Sequence, residues 1–407
     1  MRKSVVVSAL ICFSLLASFS LSQAATKVIV VKSMTFLSTL PSEQNVAGAL
    51  ANGKSIYIFG TVATATGTDG FISSQDSNGS TQWTLPLHEG EANILTSLTV
   101  DASGNLIVFG ATSKPTVVSV PPSAIDFQNP DSVTVDTQVP QRNDITEAII
   151  WSVSASGQLN SKVALDLKSP VLVTAGAITS SGYALVGNIS TASGMAGFVV
   201  TTTTAGIFSK PLYLGKSDTE INAIVAKAKG LLIVGASSET IVSRPLKGKR
   251  DGLLISLNSL GKISAVVRST NLGAMRSWKS TTASYFMGGL SVTGNKVEAV
   301  VTQFNSSLAP LWTTRFLALG GAITADLSAT SRVAFFASTS AITGLSGWKA
   351  SKGAGLALVF GTNGVLTGGY SATAITAPIS LTFSPDLGLI AVGSGPKGVS
   401  VFRVLPR

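Results

Sequence analysis

Apolar residues in this chain come in short runs that end in glycine, and the runs recur. SIYIFG ends at Gly60, LIVFG at Gly110, YALVG at Gly187, LLIVG at Gly235, SYFMG at Gly288 and LIAVG at Gly393. A weaker copy, RVAFFAS, ends at Ser338. Successive spacings are 50, 77, 48, 53, 50 and 55 residues, so five of the six lie near 50. The outlier also becomes 50 when a 27-residue insertion is placed between Gly110 and Gly187. A repeat of this length means stacked supersecondary units, chiefly propeller blades.

Each unit reads as four strands. A first strand is rich in small and β-branched residues (LTSLTV, LVTAGAI, INAIVA), and the glycine-ended run is the second. After a variable loop comes a third (GFISSQ, GFVVTT, GLLISL), then a turn and a fourth (TQWTLPL, KVALDL, PLWTTRF). Short Val-, Ile-, Thr- and aromatic-rich runs between turn residues are strand signals, and no helical period competes with them. The near-continuous apolar runs fit sheets covered on both faces, and the small first-strand residues fit a crowded centre. Seven units begin near Asn45, Glu91, Val171, Glu220, Met275, Gly321 and Ile375. The seventh supplies only three strands, while an extra strand, KVIVVKSMTFL (27–37), precedes the first. The pattern therefore predicts an all-β fold: a seven-bladed β-propeller whose N-terminal strand closes the last blade and removes the free edge.

The stretch DGFISSQDSNGSTQWTLPL (69–87) returns as DGLLISLNSLGKISAVVRS (251–269) and as KVEAVVTQFNSSLAPLWTT (296–314). With the run Leu106–Gly110, it resembles the bacterial exported β-propeller repeats in which a strand ending "vtG" precedes a D-a-F-v segment. Gly79 to Trp83 and Leu311-Trp312 are similar to the G-x-x-x-W of quinoprotein-like propellers. The resemblance implies a propeller fold over most of the chain, with the tryptophans locking neighbouring blades. It does not imply an activity. Ala196-Gly197-Phe198 and Gly355-Leu356-Ala357 lack the aspartate, and no WD or kelch signature is kept from unit to unit. Quinone-dependent propeller enzymes use a cysteine pair that this chain lacks, so no cofactor is expected.

Residues 1–24 read as an export signal. Arg2 and Lys3 precede an apolar stretch from Val5 to Leu21, then Ser22-Gln23-Ala24, whose small residues suit cleavage. Cleavage there leaves 383 of the 407 residues as one propeller domain (25–407), lowers the net charge from +10 to +8 and removes the single cysteine, Cys12. Neither a disulfide nor a thiol nucleophile is then possible. Charged residues make up 12%, against about 25% in an average soluble chain. Mean hydropathy is +0.43, yet no mature segment has the roughly 18 unbroken apolar residues of a spanning helix.

The long loops, 112–146, 236–250 and 339–354, all join second to third strands, and so are expected on one rim. Long irregular loops in compact domains are often functional. The first carries Asp126, Phe127, Asp131, Asp136, Arg142 and Asp144, with prolines that prevent regular pairing. Its aspartates lack the alternation of a calcium loop, so no metal is assigned. The second carries Arg244, Lys247, Lys249 and Arg250, a set suited to an anionic partner. The third carries Trp348 and Lys349, where Trp348 either forms a contact patch or folds onto its blade. His88, the only histidine, belongs to the same rim but has no partners for a zinc site or a triad.

These features lead to an exported, monomeric, non-enzymatic binding module of the envelope or medium. Its expected partner is an envelope polymer or an extracytoplasmic protein, possibly anionic. Nucleic acid is not expected, because no aromatic residues interleave with the basic ones. The alternative is a hydrolase or lyase of extracellular polymer using rim carboxylates. A purely structural surface component is a third class, but no sorting motif supports it.

Overall fold

The computed structural model describes residues 28–65, 67–114, 143–270, 272–349 and 352–405. The strand-forming runs found above form strands, with one division described below, and no helix occurs among the described residues. Hydrogen bonding sorts the strands into seven sheets, called sheets one to seven in chain order. Their first strands are Gln44–Asn52, Asn93–Val100, Val171–Thr179, Thr219–Lys227, Met275–Thr281, Ile323–Asp326 and Ala377–Ser384. All begin within two residues of the expected starts. Each first strand neighbours the next, and Ala377–Ser384 neighbours Gln44–Asn52, so the sheets follow one another round a closed circuit. The fold is an all-β propeller.

The core consists of separate slabs. One apolar cluster lies at each seam between successive sheets, including the seam between sheets seven and one. The second strands are buried on both faces, which is why their sequences do not alternate. Fully burying one Leu, Ile or Phe contributes roughly 1.5–3 kcal/mol, so stability resides in the seams and opening one weakens both of its sheets.

The repeated glycine has a steric cause. Six first strands carry a one-residue register shift near their start, opposite Gly60, Gly110, Gly187, Gly235, Gly289 and Gly393. A methyl group at any of these would run into the first strand; at Gly235 it would overlap the Glu220 carbonyl oxygen. The bulge and the missing side chain are one device, which bends the strand near the axis. Sheet six, whose run ends RVAFFAS, has Phe336 at the matching place, opposite Leu356, and no register shift among its first-strand pairs. In sheet five the working glycine is Gly289, one residue beyond the apparent repeat position.

Hydroxyls on first strands hold the sheets together near the axis. Ser380 Oγ donates to the Ala49 carbonyl (3.1 Å), Ser384 Oγ to that of Gly53 (2.7 Å), and Ala51 N–H to Thr382 Oγ1 (3.1 Å). These join sheet seven to sheet one across 331 residues of chain. Two fourth-strand tryptophans act alike farther out. Trp83 Nε1 donates to the Ala155 carbonyl (3.2 Å), and Trp312 Nε1 to that of Thr362 (2.9 Å). Each indole lies on the turn glycine of the next sheet, Gly157 or Gly364.

The strand expected over 27–37 is two strands. Ile29–Ser33 runs parallel to Leu366–Ala372 as an added outer strand of sheet six. Thr35–Thr39 runs antiparallel to Gly398–Val404 as the fourth strand of sheet seven, with Phe36 opposite Phe402. Met34 is buried between them, where the chain crosses the six–seven seam. The insertion expected over 112–146 is also narrower, because Thr112 pairs with Glu147 and Ser113 with Ile145. Asp126, Phe127, Asp131, Asp136 and Arg142 lie outside the described residues, as does the leader.

Candidate functional site

One face gathers the second-to-third loops and the sheet-to-sheet connections. Glu239, in the long loop of sheet four, accepts hydrogen bonds from the backbone N–H groups of Lys216 (2.8 Å), Ser217 (2.9 Å) and Asp218 (2.6 Å), and from Thr219 Oγ1 (3.0 Å). That fastens the loop to the three–four connection. His88 on the one–two connection meets Asp69 at the start of a third strand, as rim neighbours should.

Many of the carboxylates on this face are engaged. Asp251, fully buried, accepts from the N–H groups of Lys247 and Gly248 (both 2.9 Å) and from Arg268 Nη1 (3.2 Å). Arg268 also donates to the carbonyls of Ser237, Arg244 and Glu239. The repeat's aspartate is thus the anchor of the basic loop. Asp166 holds Lys114 and Lys168, Glu89 holds Lys162, and Glu298 holds Lys296 (2.7 Å). Asp144 is also engaged.

Burial pushes the Asp251 and Glu239 carboxyls upward, but the N–H donors and, for Asp251, Thr270 and Arg268 outweigh it and hold both below the ordinary range. Asp218 is likewise held down, despite burial, by Ser238 and Arg250. Groups lowered on folding stabilise the protein above their unfolded pKa values and lose that contribution as pH falls through the folded ones. The thermal midpoint should therefore drop below about pH 4, and Asp251→Asn should flatten that drop. At neutral pH the same change leaves Arg268 buried without its counter-ion, at a cost of about 3–5 kcal/mol. Thermal melts of both proteins between pH 7 and pH 2.5 check both results, and parallel acid limbs would refute the anchor role.

The cations divide into two groups. Arg250 is half-buried and pairs with Asp218 and with Glu220 (3.4 Å), which also holds Lys279 (2.6 Å). It therefore braces the three–four and four–five connections. Arg244, Lys247 and Lys249 are exposed, and none makes an ion pair among the described residues. Beside them, Ile241 and Arg244 exchange backbone hydrogen bonds around a two-residue turn, which sets Val242 (φ 45°) and Ser243 (φ 60°) in the left-handed region. A β-branched residue there is strained, and such strain clusters at contact sites.

Trp348 does not reach the surface. It is 6% exposed, packs with Phe316 and Phe336, and donates to the Ser340 carbonyl (3.1 Å). Lys349, the next residue, is exposed and lines a cleft of about 840 Å³ at the six–seven seam. Lys352 and Lys397 line it too, from the long loop of sheet six and the tight second-to-third turn of sheet seven. Phe36 and Phe402 form its wall, edge to face with centroids 5.6 Å apart. Phe402 is buried in the seam, whereas Phe36, one strand farther out, is 53% exposed. The remaining lining is rich in hydroxyls (Thr39, Thr373, Thr376 and Ser400) and includes no carboxylate. The volume suits a small-molecule or oligomer site. Phe36, Lys352 and Lys397 were not among the expected site residues. Phe36 meets the two lysines only because the N-terminal strand joins the C-terminal sheet.

No family model matches the sequence, and no curated protein matches it. The fold has many structural counterparts. The chain is similar to Kuenenia stuttgartiensis hydrazine synthase (TM-score 0.53, 9% identity, covering 91% of this chain and 97% of that one). It is also similar to the polysaccharide lyase Uly1 (TM-score 0.52, 10% identity, covering 94% and 98%). A weaker likeness, TM-score 0.46 at 11% identity, is to Chaetomium thermophilum Sqt1 bound to the N-terminus of ribosomal protein L10, covering 93% and 100%. At such identities the first two show the propeller fold and nothing of activity. Among the described residues no helix is long and apolar enough to cross a membrane.

Proposed function

We propose that this chain is an exported seven-bladed β-propeller that works as a binding module, presenting its loop face to an anionic component of the envelope or medium. The seven sheets, the seven seams and the hydrogen bonds from sheet seven to sheet one support the blade count. Export rests on the leader pattern at 1–24.

One observation carries the binding reading. Arg244, Lys247, Lys249, Lys349, Lys352 and Lys397 make no ion pair among the described residues, while Glu89, Asp166, Asp218, Glu239, Asp251 and Glu298 on the same face are tied to cations or backbone N–H groups. A face arranged this way attracts anions and repels cations. The hydrolase alternative calls for a glycosidase acid of raised pKa, and the rim carboxyls with clear shifts among the described residues, Asp166, Asp218, Glu239 and Asp251, are shifted down, which supports the binding reading.

The test is retention on isolated cell-envelope material, comparing the mature protein with a variant carrying serine at all six cation positions. The mature protein should be retained at low salt and released as ionic strength rises, since exposed charges are screened beyond about 10 Å at 0.1 M. The variant should not be retained. Equal retention of both proteins, or retention indifferent to salt, would overturn the reading.

A further inference from the structure

The cleft at the six–seven seam differs in kind from the basic loop of sheet four. The loop offers charge on an exposed, strained hairpin. The cleft offers charge, an open aromatic face and hydroxyls around one half-open volume. From that combination we infer that the cleft binds a segment of acidic glycan, a run of sugar rings bearing carboxylates, with one ring seated on Phe36. This deepens the binding reading above and depends on it.

Three features select this occupant. The first is the exposed phenyl ring. Phe402 fixes the Phe36 ring from its edge, at an interplanar angle of 75°, so a flat apolar surface remains presented to solvent. The C–H face of a pyranose packs on such a surface at little entropic cost to a ring already held. The second is the kind and spacing of charge. Three lysines and no arginine line the cleft, two on one loop and one on another. An ammonium is a point charge on a flexible stem, whereas planar bidentate capture of one phosphate or carboxylate calls for arginine. Separate point charges suit a ligand whose charges repeat along its length. The third is the hydroxyl content. Thr39 and Thr373 make no side-chain hydrogen bond among the described residues, and Thr376 reaches only the Ser394 carbonyl at 3.5 Å. A polyol matches these groups better than a lipid tail does. The absence of any lining carboxylate completes the charge complementarity.

An acidic peptide satisfies the charge but makes no particular use of the phenyl ring. The test therefore sets the two apart. Calorimetric titration uses the mature protein with a galacturonate hexamer, a neutral maltohexaose and polyglutamate of similar charge. The galacturonate hexamer should bind, with affinity falling as salt rises, and the neutral sugar should not. Lys352→Ser with Lys397→Ser should weaken binding about tenfold or more, and Phe36→Ser about tenfold. Phe36→Trp should preserve binding, which separates loss of stacking from loss of fold. Lys229→Ser with Lys262→Ser, two exposed lysines on turns of sheet four that do not line the cleft, should change it less than about twofold. Polyglutamate binding as tightly as the glycan, with Phe36→Ser harmless, would overturn the inference in favour of a charge-only site. No glycan binding alongside salt-sensitive retention on envelope material would sink the inference and leave the binding module standing. Loss of both would sink both.

Discussion

Gly235→Ala is expected to destabilise the protein by about 3 kcal/mol or more, a large effect for one methyl group. The added carbon would overlap the Glu220 carbonyl oxygen and lie 2.9 Å from the Ile221 Cα, where only backbone is available to give way. Relief requires removing the bulge between Ile221 and Ala223, which shifts the first strand of sheet four relative to both neighbours. The control is Gly320→Ala. Gly320 has nothing within 4 Å of the same position, so that variant should stay within about 0.5 kcal/mol of the parent. Denaturant melts of the two variants decide the matter. A Gly235 variant as stable as the Gly320 variant would mean that the repeated glycine has some other cause.

The second large effect is expected from removing the N-terminal strands. A chain starting at Pro41 loses the strand that pairs with Gly398–Val404, together with the buried Met34 and Leu40. Those two side chains alone represent roughly 3–6 kcal/mol of apolar burial. The loss also exposes a strand edge carrying Val399, Val401 and Phe402, a template for pairing between molecules. Such a chain should fail to accumulate as a soluble monomer, and a peptide spanning 28–40 supplied in trans should restore solubility. Size-exclusion chromatography with and without the peptide reads the result, and a soluble monomer without it would count against closure by these strands.

The fold could be read from the sequence at the level of units, because the period of the apolar runs reflects a physical repeat. The seven first strands start where the spacing placed them, and the tryptophan-to-turn contacts lie where the fourth-strand motif put them. The bulge was hidden, since one extra residue in a strand leaves no mark on a periodic pattern. Only the glycine facing it marks the spot. The division of 27–37 was hidden too, because Met34 gives no sign that a seam passes beneath it. Site residues were harder to find. The charge of the sheet-four loop was visible, but the burial of Asp251 and the pairing of Arg250 with Asp218 and Glu220 depend on elements some 30 residues away. Lys349 was visible beside Trp348, yet the tryptophan points inward. Phe36 is separated from Lys352 and Lys397 by most of the chain and becomes their neighbour only through ring closure.

Closure is therefore the claim on which both the rim and the cleft depend. Thr39 and Ser400 are direct partners across the joining strands, at a separation that antiparallel pairing keeps within disulfide reach. The only cysteine in the sequence is Cys12, so in a chain starting at Ala25 Thr39→Cys with Ser400→Cys introduces a single possible bond. Oxidation of the folded double variant should yield one cross-linked peptide containing both chain ends, identified by mass spectrometry before and after reduction. Two free thiols in a protein that is otherwise folded would contradict the closed ring.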